Sequence, residues 1–186
     1  MSKFEEFARA LNELNGEASY AATREETAAR INDLVMSSRA SFVVVAGLPD
    51  AVRSAVLSSL KGVDVEEVED LKGREAAATI SKADIGITWA AGGLAKEGAL
   101  MEVTWDDAAK LASSLPLTHV ALLSERSLLP DLDAAMLEAG RIVKSSTPKP
   151  DISFIAGPSK TGDIEGKLLH GVHGPHWVFA MVLGWA

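Results

Sequence analysis

The run SFVVVAG at residues 41–47 constrains this chain more than any other stretch, because consecutive apolar residues without polar alternation suit a strand buried on both faces. Such a strand needs a layer on each side, and the neighbouring segments have the helical periodicity to provide one. Phe4, Phe7, Ala8, Leu11 and Leu14 fall on one face of an amphipathic helix, and residues 24–37 read as a second helix before the strand. Beyond it, Pro49-Asp50 opens a helix to about Leu60, residues 63–68 read as a strand, and residues 74–81 as a helix. ADIGITWA and GALMEV follow as strands, then a helix over residues 106–114 with Thr104 as its candidate N-cap. THVALLS, a helix over 131–139, DISFIAG and WVFAMVL complete the alternation. This order predicts an α/β fold, a three-layer α/β/α sandwich with a mostly parallel sheet preceded by N-terminal helices. Residues 1–38 are expected as a helical N-terminal region and residues 39–186 as the α/β domain, together one compact unit.

Composition narrows the function classes. The net charge of −8 and the absence of a Lys/Arg run argue against nucleic acid or an anionic membrane as partner. The start MSKFEEFARALNEL lacks a signal peptide's basic opening and apolar stretch, so the cytoplasm is the expected location. With 0 cysteines there is no disulfide, no thiol nucleophile and no cysteine ligand for zinc or an iron–sulfur cluster. Redox chemistry would therefore pass its electrons to another chain or a diffusible cofactor, and no resident cofactor is expected. No G-x-G-x-x-G occurs, which removes the dinucleotide fingerprint, and Gly162 is followed by Asp163 rather than Lys, which removes a Walker A loop.

The stretch IAGPSKTGDIEGKLLHGVHGPH concentrates turn-formers and imidazoles. Gly157 ends a strand, and Ser159, Lys160 and Thr161 offer two hydroxyls and an ammonium at an expected helix N-terminus, a place that favours anions. In the other reading, Ser159 or Thr161 is an N-cap and Asp163 a first-turn acid complementing the helix dipole. His170, His173 and His176 are interrupted by Gly171, Gly174 and Pro175, so no metal site is expected from them. GVHGP reads as a tight turn into the last strand, with His173 either bonding within the turn or facing a ligand cleft. Upstream, Glu97 at a glycine-rich tip is a base or nucleophile in one reading and an exposed turn charge in the other. Trp89 and Trp105 line a cleft or belong to the core.

GITWA, AKEGAL, SLPLTHVALL and above all IAGPSKTGDIEGKLLHGVHGP resemble the lactate-utilisation protein C family, the LUD domain, over about the last hundred residues. The resemblance implies a fold of the coenzyme A transferase and ribose-5-phosphate isomerase group. It also implies a role in operons that oxidise L-lactate to pyruvate beside iron–sulfur partner proteins. Where that family commonly has acids, this chain has Ala91 and Lys96, with Glu97 one residue out of register, while the second motif is intact. The site implied for a small anionic metabolite is Gly157, Ser159, Lys160, Thr161, Asp163 and His173, with Lys160 and the hydroxyls holding the anion and Asp163 accepting a hydrogen bond. Two other functions stay open on the sequence: a free-standing transferase- or isomerase-like enzyme, and a noncatalytic binding module.

Overall fold

The computed structural model describes residues 1–159 and 174–186 with their side chains, and residues 160–164 and 167–170 as backbone strands. In chain order the elements are α1 (Lys3–Glu13), β1 (Glu17–Ala21), α2 (Arg24–Ser38), β2 (Phe42–Ala46), α3 (Asp50–Ser59), β3 (Asp64–Glu67), α4 (Gly73–Ile80) and β4 (Ile85–Trp89). They continue as β5 (Gly92–Leu94), β6 (Ala99–Thr104), α5 (Asp107–Ser114), β7 (Thr118–Ser124), β8 (Leu128–Leu129), α6 (Leu132–Ser145), β9 (Asp151–Ile155), β10 (Lys160–Ile164), β11 (Lys167–His170) and β12 (Trp177–Leu183). None of the described helices is long and apolar enough to cross a membrane.

The central sheet has 6 strands in the order β1-β12-β7-β4-β2-β3, and every neighbouring pair is parallel. The apolar run at 41–47 is β2, and its alternate residues serve opposite faces as strand geometry requires. Val43 and Val45 pack with Ile31 and Val35 of α2 and Val52 and Val56 of α3. Val44 and Ala46 pack with Ala76 and Ile80 of α4 and Ala108, Ala109 and Ala112 of α5. Helices on both faces make the α/β/α layering. Over the β7–β12 half of the second face, the cover is α1 together with a second, 4-stranded sheet, β8-β5-β6-β9. Helix α6 closes the far side of that sheet.

Two local differences from the sequence reading have simple causes. The N-terminal region is not helical throughout: β1 lies between its two helices and pairs with β12 as the edge of the central sheet. EASYA is short and mixed in polarity, and only Ala21 of it is fully buried, so alternation gave no signal. Helix α5 is capped by Asp106, whose carboxylate takes the Ala109 N–H at 2.8 Å, and Thr104 ends β6 instead. Helix α1 starts in a capping box, with Ser2 Oγ accepting from Glu5 N–H and Glu5 Oε2 accepting from Ser2 N–H. Its Phe7 and Leu11 are fully buried.

Helix α5 sits hard against β4. A Cβ at Gly86 would lie 1.9 Å from the Ala112 carbonyl oxygen, so only glycine permits this approach. That contact fixes where α5 stands over the sheet.

Candidate functional site

Parallel sheets place ligands beyond the C-terminal ends of their strands, at the point where successive connections leave in opposite directions. Here that point lies between β2, whose chain continues to β3 on one side, and β4, whose chain continues toward β7 on the other. A cavity of about 280 Å³ opens there, with Ala46, Gly47, Thr88, Trp89, Ala91 and Glu102 in its lining. Trp105 also walls it and is 55% exposed, so both tryptophans reach the cleft, and Trp89 packs against the core as well.

At the edge of this cavity is a buried polar trio. Thr88 comes from β4, His119 from β7 on the same face of the sheet, and Glu102 from β6 of the second sheet. Glu102 is 3% exposed and His119 0%. The Thr88 hydroxyl donates to Glu102 Oε1 at 2.5 Å and lies 2.8 Å from His119 Nε2. His119 Nε2 is itself 3.2 Å from Glu102 Oε1. A hydroxyl has one proton to give, so with that proton on Glu102 it accepts from His119, which places a proton on Nε2. His119 Nδ1 is buried without a hydrogen-bond partner among the described residues.

Burial by itself pushes the Glu102 carboxyl up, but hydrogen bonding and charge from His119, with a further hydrogen bond from Thr88, outweigh it and hold the group below its ordinary range. The carboxylate is therefore ionised at neutral pH. Sequence reading missed this trio. Its available signal was one acid in the otherwise apolar ALMEV and one histidine in THVALLS, both in strands too apolar to be solvated there.

A second cavity, of about 370 Å³, is lined by residues of α5 and β9. Its lining includes Ser113, Ser114, Ser153, Ser159 and Lys110. Lys110 is also paired with Asp151 at 3.1 Å on the surface. Two segments singled out in the sequence meet at this cavity: Ser159 N–H donates to the Pro175 carbonyl at 3.1 Å, and Gly157, Gly174 and Pro175 share the wall. Gly157 has φ +83, and a Cβ there would be 2.6 Å from the Leu14 carbonyl oxygen, so this glycine admits both the turn and the end of α1.

Lys160, Thr161 and Asp163 do not begin a helix. They lie in β10, paired antiparallel with β11 through Lys160↔His170 and Thr161↔Leu169. No helix dipole acts at these residues, because their backbone is extended and pairs with β11. Thr161 and Asp163, which resemble part of an N-cap pattern, are strand residues. His173 lies outside the described residues. Glu97 is not a plain exposed charge: its Oε2 is buried without a hydrogen-bond partner among the described residues, while Lys96 is exposed. No group of three or more His, Cys, Asp or Glu side chains able to hold a metal occurs among the described residues.

A mostly parallel sheet with helices on both faces, a cleft at its switch point and a second sheet over half of one face define a layered α/β protein. The chain belongs to the LUD domain family, whose model matches residues 4–183, well beyond the C-terminal motifs that carry the resemblance. It is 33% identical over 133 residues to the lactate utilization protein C of Anoxybacillus flavithermus, covering 72% of this chain and 59% of that protein. Against the lactate utilization protein C of Halalkalibacterium halodurans it is 30% identical over 146 residues, covering 78% and 64%. The match to the Bacillus subtilis protein of the same name is 33% over 116 residues and covers 48% of that relative. The chain thus aligns with roughly half to two thirds of these relatives' length. A crystal structure of a DUF162 family protein from Deinococcus radiodurans shares the fold, with a TM-score of 0.72 at 18% identity over 99% of both chains.

Proposed function

We propose that this chain takes part in oxidising L-lactate, or a related organic acid, to pyruvate, and that it binds a small anionic metabolite in the serine-lined cavity. The observation that carries this reading is the hydrogen bond from Ser159 to Pro175, which draws the Gly157–Ser159 turn and the Gly174-Pro175 turn around one cavity with Lys110 and three further serines. Serine hydroxyls and ammonium groups are the donors a carboxylate requires, and since Ser113 and Ser114 donate to the Lys110 carbonyl, Ser153 and Ser159 are the hydroxyls for that role. The names of the aligned relatives supply the substrate class.

In this reading the ligand-binding set is Gly157, Ser159, Lys160, Thr161, Asp163 and His173. Lys160 and the hydroxyls hold the anion, and Asp163 accepts a hydrogen bond from it. Oxidation of lactate to pyruvate releases two electrons and two protons. A chain with 0 cysteines has no thiolate to ligate a cluster, so iron–sulfur partner proteins take the electrons. Deletion of the gene should abolish growth on L-lactate as sole carbon source while sparing growth on pyruvate, and the wild-type chain should restore it. Undiminished growth of the deletion strain on L-lactate would rule the role out.

A further inference from the structure

The cavity at the end of β2 and β4 differs in character from the serine-lined cavity. Its charged lining residues are Glu102 and Asp106, with no Lys, Arg or His. Asp106 is occupied as the N-cap of α5. Glu102 is 3% exposed, so its charge is little screened by solvent. Thr88 and His119 both engage Oε1, and a carboxylate offers about four lone-pair positions, so acceptor capacity remains. The lining offers carboxylate acceptors and no cationic side chain, so a neutral hydrogen-bond donor suits it better than an anion. Two indoles, Trp89 and Trp105, wall a space kept open by Ala46, Gly47 and Ala91. Flat rings pack favourably on indole faces.

We infer that this cavity is a second ligand site, for an uncharged planar group bearing N–H donors, with the donors on Glu102 and the ring against Trp89 and Trp105. The site does not depend on the anion reading of the serine-lined cavity. Ala91 brings no acid to it, and Glu102 supplies the carboxylate from the neighbouring strand, where the Ala91 N–H donates to the Met101 carbonyl at 2.8 Å.

The test is titration of the purified chain with nicotinamide and with adenosine as neutral planar donors, and with benzoate as an anionic planar control, followed by tryptophan fluorescence and calorimetry. At least one neutral probe should bind saturably, and Glu102→Gln should weaken it by roughly ten- to a hundred-fold, the loss of a hydrogen bond to a charged group. Trp105→Ala removes a half-exposed ring without opening the core and should also weaken binding, which keeps the test valid if the Glu102 variant folds poorly. Benzoate should not bind in the cavity. Saturable binding by neither neutral probe, equal binding of benzoate, or neutral-probe binding unchanged in the folded variants would overturn the assignment.

Discussion

Glu102 and Ser153 are direct register partners across β6 and β9, and each walls a different cavity. Opposed residues on paired strands have Cβ atoms only about 4.5 to 5.5 Å apart. The buried carboxylate therefore stands one side chain away from the serine-lined space. A change at Glu102 is expected to be felt in both cavities.

The Thr88 hydroxyl holds the trio together. Thr88→Val keeps shape but removes the group between Glu102 and His119, so it should destabilise the fold by about 1 to 3 kcal/mol, the cost of an unmet buried polar group. Thr88→Ser should recover most of that loss. Denaturant unfolding of the three proteins checks it, and equal stability of Val and Ser variants would show that the hydroxyl is not shared.

Acid unfolding should report Glu102. Its folded carboxyl titrates below the unfolded value, so the unfolded chain takes up a proton first as pH falls through the ordinary glutamate range of about 4.3. The contribution is fully present above that range and is lost as pH drops toward the folded pKa. Asp84 shifts in the same direction, where hydrogen bonds from Ser41 and Phe42 outweigh its burial, but it is common to wild type and variant and cancels. The stability difference between wild type and Glu102→Gln should therefore shrink on going from pH 7 to about pH 3. A difference independent of pH would mean Glu102 is not held ionised by its partners.

Much of the layering could be read from the chain because β2 and the helices have strong periodic patterns. The run at 41–47 is a strand with helices on both faces, as its unbroken apolarity demands. The trio was not legible, since residues 88, 102 and 119 become neighbours only when β6 of the second sheet folds over β4 and β7. Residues 160–164 differ from the sequence expectation for the opposite reason: Thr161 and Asp163 around Gly162 are local signals of a helix start, and strand pairing with 167–170 overrides them.

Gly86→Ala tests how α5 is positioned. The added methyl meets backbone, not a movable side chain, so α5 must shift away from β4. A loss of about 1 to 3 kcal/mol is expected, with the switch-point cavity distorted as well. A variant as stable as wild type would show that α5 is not pinned by this contact.

The anion site is tested most directly by calorimetric titration of L-lactate and pyruvate into wild type, Lys160→Ala and Ser159→Ala, with circular dichroism confirming the fold. The expected result is saturable binding to wild type and a loss of about 1.5 to 3 kcal/mol of affinity in Lys160→Ala, the worth of one charge-assisted hydrogen bond, with a smaller loss in Ser159→Ala. Equal affinity in all three proteins, or no binding of either acid to wild type, would contradict the placement of the metabolite in the serine-lined cavity.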